Sequence, residues 1–244
     1  MNAVIVTGSN GGIGTAICNM LKNSGYYVVG IDRKADINGL DGFIELDIRD
    51  IVVNASGRDI FISNLENELN GYQLKALINN AAVQILSSFE ELKVEDFIET
   101  IDTNLNAPLI LGKLLFPKLK ASKGSIVNIG SIHSKLTKPG FVSYATSKTA
   151  LLGLTQALAV DSGHVIRVNA IQPAATATEM LLDGFKENPD AFEILKGFHP
   201  TRTIATPSEI AEAVKFVISD SCQFLNGSVI DINGGIGSRL HDPV

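Results

Sequence analysis

The 244-residue chain has no tryptophan and only two cysteines. Cys18 and Cys222 lie far apart and outside any CxxC or cysteine–histidine cluster, which excludes a disulfide scaffold and a structural zinc site. No run approaches the ~18 apolar residues of a membrane span, and the chain opens with an apolar stretch instead of a basic leader. We therefore expect a soluble cytoplasmic protein with no bound metal and no membrane partner.

Positive charge is also scarce. The 20 lysines and arginines are outnumbered by 26 aspartates and glutamates, which gives a formal net charge of -6, and the basic residues are scattered. A nucleic-acid partner needs a basic face that this composition does not supply. Hydrophobic residues make up 45% of the chain and charged residues 19%, a balance typical of a globular protein with a sizeable core.

What the chain does contain is an alternation of short β-branched runs with longer helical patterns. Strands are expected at 3–6, 27–31, 43–46, 76–78, 125–129, 166–171 and 228–232. Helices are expected at 13–23, 60–70, 94–119, 143–160 and 208–219. Strands that are apolar on both faces and alternate with helices predict an α/β fold. The pattern indicates a single domain over 1–244, a doubly wound parallel sheet of seven strands with helices on both faces.

Two stretches fit neither pattern. Residues 48–59 are expected to form a surface excursion, and 174–205 is long enough to form a mobile substrate lid.

The ends of two helices have local causes in the sequence. TPSEI has the form of a capping box, with Thr206 as the cap and Glu209 reaching back, and Gly25 follows the first helix where a left-handed residue is favoured.

The first strand runs into a glycine-rich turn, TGSNGGIG, and then a helix. Gly8, Gly12 and Gly14 permit a tight turn and close approach of a pyrophosphate to the helix N-terminus, although glycines also serve plain turn geometry. Asp32 ends the second strand, where a carboxylate can accept the ribose hydroxyls of an adenosine and repel a 2'-phosphate. NAD is therefore favoured over NADP, and the neighbouring Arg33 weakens that preference because it could bind a phosphate.

Tyr144 and Lys148 lie four residues apart in an apolar helical stretch, so their side chains project from one face of the helix. Such a pair is commonly a solvated helix face. In a buried setting it is a proton-handling pair, because a phenol with a pKa of about 10 is a poor base at neutral pH and a cation about 4–6 Å away lowers that pKa. Both interpretations are open on these two residues alone.

Several motifs, taken together and in order, resemble those of the classical short-chain dehydrogenase/reductase family. They are TGSNGGIG for the family's TGxxxGxG loop, INNAA at 78–82 for its NNAG turn, TNLNAP at 103–108 for the helix asparagine, VNIGS at 127–131 for the catalytic serine, and YATSK at 144–148 for YxxxK. Ser131 precedes Tyr144 by thirteen residues, the family's usual spacing. Ala82 and Ala174 depart from the family, which usually has glycine at both positions.

The resemblance implies a Rossmann-type, NAD-dependent oxidoreductase that interconverts a secondary alcohol and a carbonyl, as a homotetramer or homodimer. Tyr144 would be the general acid or base and Lys148 would also hold the nicotinamide ribose. Ser131 would hydrogen-bond the reacting oxygen, and Asn104 would support a water path to the lysine. The cofactor-binding residues that the resemblance implies are Gly8, Asn10, Gly12, Ile13, Gly14, Asp32, Arg33, Asp47, Ile48, Asn80, Ala81, Tyr144, Lys148, Pro173, Thr176 and Thr178.

The substrate is expected to be a small polar molecule such as a sugar, a polyol or a hydroxy acid. Gln84, His133 and Gln172 are the candidate substrate contacts, and the first two resemble in position the carboxylate-binding residues of D-3-hydroxybutyrate dehydrogenases. The lysine expected there is absent, because the position is Phe141, and Lys138 is out of register. The alternative is that these polar groups only satisfy loop backbone.

Other functions stay open at this stage. A catalytically idle NAD-binding sensor could use the same scaffold, although the complete catalytic set speaks against it. An isomerase or dehydratase is disfavoured because such relatives have longer chains, and a hydrolase is disfavoured because no GxSxG elbow surrounds Ser131. The segment 238–244 either frays or reaches a neighbouring subunit.

Overall fold

The computed structural model describes residues 2–34, 39–69 and 71–240. The strands are β1 (Asn2–Thr7), β2 (Tyr27–Asp32), β3 (Gly42–Glu45), β4 (Gln73–Asn79), β5 (Ser125–Ile129), β6 (Arg167–Pro173) and β7 (Val229–Ile232). They form one sheet in the order β3-β2-β1-β4-β5-β6-β7, and every neighbouring pair is parallel. The predicted doubly wound parallel sheet is confirmed.

Helices cover both faces of this sheet. They are α1 (Gly12–Asn23), α2 (Asp50–Val53), α3 (Ala55–Leu69), α4 (Val94–Ile101), α5 (Ala107–Ala121), α6 (Val142–Ser162), α7 (Glu179–Asp183), α8 (Pro189–Phe198) and α9 (Pro207–Ile218). A π-helical turn, Asp102–Asn106, joins α4 to α5, and a 3₁₀ turn, Ile132–Ser134, follows β5. No helix in the described ranges is long and apolar enough to span a membrane.

Two sequence expectations are corrected. The stretch 48–59 is not an irregular excursion, because it holds α2 and the start of α3. The single helix expected over 94–119 is divided by the π turn. The stretch 174–205 contains two short helices, α7 and α8, whose N-terminal caps Thr178 and Asn188 accept backbone N–H groups, and its role as a lid stays a prediction.

The core lies in two layers, one on each face of the sheet. Successive residues of β1 point to opposite faces, so Ile5 packs in a cluster with Leu111 while Val4 packs with Leu21 and Val214. All five side chains are fully buried, and each such burial contributes about 1.5–3 kcal/mol. This two-sided burial explains why the strands are apolar on both faces.

The predicted local signals at the helix ends are confirmed. The Thr206 backbone N–H donates to Glu209 at 2.7 Å and the Glu209 N–H donates to the Thr206 hydroxyl at 3.3 Å, which completes the capping box of α9. The Thr206 backbone N–H and the Thr206 hydroxyl, which both donate to the Glu209 carboxylate, hold its pKa below the ordinary value. Gly25 has φ +87° at the end of α1.

The carboxyl ends of the strands meet along one edge of the sheet. The residues at those ends are Thr7, Asp32, Asn79, Ile129 and Pro173. Between β1 and β4 the chain order reverses, since β2 and β3 lie on one side and β4 to β7 on the other. A crevice at such a switch point is where open α/β sheets bind ligands.

Candidate active site

The glycine-rich turn is tightly folded and leaves amide groups available. Gly8 has φ +64°, and a Cβ there would lie 2.8 Å from Ala81 Cα. A Cβ at Gly14 would clash with the Gly8 carbonyl oxygen. The first intrahelical bond of α1 runs from Thr15 N to Gly11 O, so the amides before Thr15 have no intrahelical partner. These amides and the helix dipole can hold an anion such as a pyrophosphate.

The NNAA turn after β4 supports this glycine turn from the neighbouring strand. Asn80 Nδ2 donates to the carbonyl oxygens of Thr7 and Gly8, each at 3.0 Å. The Thr7 hydroxyl in turn accepts the N–H groups of Asn80 and Ala81 at 3.0 Å. Outside glycine, positive φ in the described ranges occurs only at Lys123 and Arg202, so the backbone at Ala82 is at negative φ and does not require the family's glycine.

Asp32 faces the glycine turn from the end of β2. One carboxylate oxygen accepts Asn10 N at 3.0 Å and the other accepts Arg33 N at 2.7 Å, so the carboxylate is fixed beside the turn. Each oxygen keeps a further lone pair for a ribose hydroxyl. Asp47 and the buried Ile48 follow β3 on the same side. These residues fit the adenosine half of a dinucleotide.

The other predicted cofactor contacts come from the segment after β6. Pro173 ends that strand and Thr176 is buried. Thr178 caps α7, and its Cβ lies 3.1 Å from where a Cβ of Gly12 would be. The segment 174–178 therefore comes against the glycine turn at Gly12, and Ile13 is half-buried at the same helix start. The chain has the residues that a nicotinamide dinucleotide requires, and no metal-ligand cluster occurs in the described part of it.

Asn104 is buried in the π turn and binds two other elements. Its Oδ1 accepts Val83 N at 2.8 Å, and its Nδ2 donates to Val83 O at 2.9 Å and to the Ser147 hydroxyl at 3.0 Å. The Ser147 hydroxyl donates to Tyr144 O at 2.8 Å. Asn104 thus ties the loop after β4 to the helix that carries Tyr144, and the π turn supplies the extra residue that aims it.

Ser131, Tyr144 and Lys148 come together at the end of β5. Ser131 begins the 3₁₀ turn and its hydroxyl accepts His133 N at 3.2 Å. Lys148 is 3% exposed, and its Nζ donates to Ile129 O at 2.8 Å and lies 5.6 Å from the Tyr144 ring centroid. The Tyr144–Lys148 pair is therefore not a solvated helix face.

Burial dominates the titration of the pair. It raises the pKa of the Tyr144 phenol above its ordinary value, and a hydrogen bond with Ser131 acts in the opposite direction. Burial also lowers the pKa of Lys148 to about 8. The net direction for the phenol is upward because desolvation is its largest cause. That Lys148 lowers this pKa stays a prediction.

Aromatic and basic groups surround the Tyr144 ring. His133 stacks on Phe141 with ring centroids 4.1 Å apart, and it meets Tyr144 edge-on at 5.8 Å. Lys138 Nζ lies 4.9 Å above the Phe141 ring. Burial and the charge of Lys138 lower the pKa of His133, so this imidazole is neutral near pH 7. Gln84 is exposed on the loop that Asn104 holds.

Gln172 does not line the cleft, which corrects the sequence expectation. Its side chain has no exposed surface and its Nε2 donates to Ser131 O at 3.1 Å and to the Ser134 hydroxyl. The amide is engaged beneath the catalytic turn because β6 pairs with β5 directly behind it.

Sequence reasoning missed Thr7, Ser147 and Asp102 as supporting residues. Asp102 accepts Asn106 Nδ2 at 2.9 Å and Arg49 Nε at 3.4 Å, which fixes the start of the π turn. Ser147 lies within YATSK, and a hydroxyl three residues after Tyr144, on the same helix face, was an available signal. The contact of Asp102 with Arg49 gave none, because the two residues are 53 positions apart.

Known proteins resemble the chain over almost its whole length. A family model described as enoyl-(acyl carrier protein) reductase matches residues 8–237. Acetoacetyl-CoA reductase of Acinetobacter sp. (strain RA3849) is 30% identical over 241 residues, which cover 95% of this chain and 96% of that protein.

Solved structures agree with the fold. Ligand-free aldohexose dehydrogenase of Thermoplasma acidophilum superposes with a TM-score of 0.92 at 26% identity, covering 100% of this chain and 96% of that one. A 4-hydroxyisoleucine dehydrogenase complexed with NADH gives a TM-score of 0.87 at 28% identity, covering 98% of this chain and 100% of that one. All of the candidate site residues lie within the matched range.

Proposed function

Since the chain belongs to the classical short-chain dehydrogenase/reductase family and is an oxidoreductase of that type, we propose that it interconverts a secondary alcohol and a carbonyl with NAD. The observation that carries this proposal is the Tyr144 phenol, which lies beside the buried Lys148 and close enough to the Ser131 hydroxyl for that group to act on its pKa. This group lies at the same sheet edge as the glycine turn. The proposed proton-transfer group and the proposed dinucleotide site thus share one crevice.

The residues have distinct roles in this proposal. A nicotinamide cofactor bound along the glycine turn would supply or accept the hydride at the substrate carbon. In reduction, Tyr144 donates its proton to the carbonyl oxygen, since its raised pKa keeps it protonated near pH 7. Ser131 donates a hydrogen bond to the same oxygen. In oxidation, Tyr144 takes the proton back, and Lys148 holds the ribose next to it.

NAD is proposed over NADP because Asp32 is fixed where the adenosine ribose would lie. Asp32→Ser is expected to lower kcat/KM with NAD by about 10- to 100-fold, because hydrogen bonds to a charged group contribute about 1.5–3 kcal/mol. It should raise kcat/KM with NADP, because the repulsion of the 2'-phosphate is removed. The ratio of the two kcat/KM values is the measurement, since loosening of the glycine turn affects both alike.

Asp41→Ser is the matched control for this prediction. This substitution also removes a carboxylate that accepts a backbone N–H, here that of Val28. Asp41 lies near the amino end of β2, away from the cleft. Its ratio of NAD to NADP activity should equal that of the unaltered protein. An unchanged ratio in Asp32→Ser would reject the assignment of Asp32 to the ribose.

A small polar substrate is proposed, and a hydroxy acid is the second candidate. The two solved structures named above are dehydrogenases of an aldohexose and of 4-hydroxyisoleucine, whereas the acetoacetyl-CoA reductase is named for a thioester, so the substrate panel includes thioesters. The hydroxy acid is favoured by Lys138, which lies above Phe141 and close enough to His133 to depress its pKa. Phe141 and His133 both contact the Tyr144 ring, so an ammonium beside them can hold the carboxylate of a substrate whose hydroxyl reaches the phenol.

A substrate panel tests both candidates. Sugars, polyols and hydroxy acids are compared with steroids and with oxoacyl and enoyl thioesters, each with NAD and NADP, by the absorbance of the reduced nicotinamide. We expect turnover of a small polar alcohol with NAD. Preference for a hydroxy acid over its neutral amide would support the second candidate. Turnover confined to steroids or thioesters would reject the proposed substrate class.

We also propose a homotetramer or homodimer in the cytoplasm, with 174–205 as the substrate lid. Val160 on α6 is 87% exposed and Phe216 on α9 is 52% exposed, which supports contact with other copies of the chain. The cytoplasm is a reducing compartment, and the free thiols of both cysteines support this location. The lid begins where Thr178 meets the glycine turn. His241 and Asp242 of the tail lie outside the described residues.

A further inference from the structure

We propose that Gln172 is a positioning residue for catalysis, whose amide holds Ser131 and the turn after it in the reactive geometry. The inference rests on the proposed alcohol–carbonyl oxidoreductase function and extends it to a residue that touches neither the reacting oxygen nor the dinucleotide crevice. It assigns a catalytic consequence to a side chain that is fully buried.

One amide binds the catalytic turn at its N-cap and at its last residue. Gln172 Nε2 donates to Ser131 O at 3.1 Å, immediately before the 3₁₀ turn, and also to the hydroxyl of Ser134, which ends that turn. His133 lies between these two contacts. A shift of Gln172 would therefore move the Ser131 hydroxyl and the His133 ring together.

The chain makes room for this contact. A Cβ at Gly130 would lie 3.1 Å from Gln172 Cγ, which is tighter than ordinary van der Waals contact. The Gly130 N–H donates to Ile171 O at 2.7 Å, so the two strands stay paired up to the turn. The lack of a side chain at Gly130 lets the Gln172 side chain pass beneath it.

The end of β5 is held by two donors on different elements. Lys148, from α6, donates to Ile129 O at 2.8 Å, and Gln172, from β6, donates to Ser131 O at 3.1 Å. The backbone between these two carbonyls carries the Ser131 hydroxyl toward Tyr144. Catalytic groups must be held within about 0.5 Å of the productive geometry, and such support comes from hydrogen bonds behind the reacting groups.

Stability alone does not explain a glutamine here. Its Oε1 is buried and accepts no hydrogen bond from the residues that the structure describes. A buried acceptor without a partner is unfavourable, and a methionine of similar length would fill the same space without it. The N–H group that donates to Ser131 O is the feature that a methionine lacks.

Gln172→Met tests the inference. We expect kcat with the best substrate of the panel to fall by about tenfold, the loss of one positioning hydrogen bond. KM for NAD should not change, and the melting temperature should move by less than about 2 °C, because the lost donor and the removed Oε1 offset each other. A kcat equal to that of the unaltered chain would overturn the inference.

Asn169→Leu is the matched control, because Asn169 is a fully buried amide on the same strand that binds Leu225 O and Ser228 N. For Asn169→Leu we expect a lower melting temperature and an unchanged kcat per folded molecule, the opposite of the pattern for Gln172→Met. If the unaltered chain turns over nothing in the panel, the proposed function fails. If it is active and Gln172→Met is equally active, only the positioning role fails.

Gln172→Glu gives a readout that packing alone would not move. A protonated carboxyl can donate to Ser131 O, whereas the ionised form cannot, so kcat relative to the unaltered chain should fall about tenfold as pH rises through the pKa of that carboxyl. Burial places this pKa above the ordinary value of about 4.3. A pH profile parallel to that of the unaltered chain would overturn the inference, even if Gln172→Met failed to fold.

Discussion

Tyr144→Phe is expected to lower kcat by about 10³-fold, within the range of about 10²–10⁴ that a general acid or base contributes. The substitution removes the proton that the carbonyl oxygen must receive and leaves Ser131 and Lys148 in place. The ring keeps its edge contacts with His133 at 5.8 Å and Phe141 at 6.2 Å, so the shape of the cleft is preserved. NADH binding, measured by fluorescence titration, should therefore be unchanged.

Tyr26→Phe is the control for this substitution. Tyr26 is also a partly buried tyrosine whose pKa is raised by burial, but it precedes β2 at the amino edge of the sheet. Removal of the Tyr26 hydroxyl should leave kcat unchanged. Turnover by Tyr144→Phe at the rate of the unaltered chain would reject the mechanism and favour the idle sensor.

Features with local causes could be predicted from the sequence. Gly14 is required by a turn whose own backbone a Cβ would strike, Gly8 by its positive φ, and Asp32 follows from its place at a strand end. The sheet could be predicted because each strand is apolar on both faces. The bounds at both ends of the strands differ by only a few residues, since hydrophobic runs and strand pairing coincide there.

Features that depend on distant partners could not be predicted. The π turn is stabilised by contacts of Asn104 with Val83 and Ser147, 21 and 43 residues away. No periodicity in 94–119 indicates the extra residue. Gln172 was assigned to the cleft because polar residues after strands commonly face ligands, yet its side chain points beneath Ser131. The direction of a side chain at a strand end depends on the neighbouring strand.

The titration of Tyr144 shows the same limit. Spacing on a helix predicts that Lys148 and Tyr144 are close, and they are. It does not predict how much water each group loses, and burial determines both pKa values. The sequence therefore identifies the pair but not the free-energy cost of burying it.

Lys148→Met is expected to lower kcat by about 10³-fold and at the same time to stabilise the fold at pH 7. The ammonium is the proposed partner of the ribose and of Tyr144, so its loss affects both binding and proton transfer. Burial depresses its pKa from 10.5 to about 8, which corresponds to about 3 kcal/mol against the charged form. Loss of the charged hydrogen bond to Ile129 O offsets about 1.5–3 kcal/mol of this, so the net gain is at most about 1–2 kcal/mol.

The pH dependence distinguishes this gain from better packing. Below pH 8 the lysine is charged in both the folded and the unfolded chain, so the penalty is fully present. Between 8 and 10.5 the unfolded chain binds more protons, the stability of the unaltered protein rises, and the advantage of Lys148→Met should disappear. Urea denaturation across this range measures it.

Lys75→Met is the control for that experiment. Lys75 is also a buried lysine, but its Nζ lies 2.8 Å from Asp220, so its charge is paired. Removing it leaves Asp220 without this partner, and no gain at pH 7 is expected. A gain in Lys148→Met that persists above pH 10.5 would show that packing, not charge burial, is responsible. A gain confined to lower pH means that the fold sacrifices stability to keep an ammonium beside Tyr144, which a structural lysine would not require.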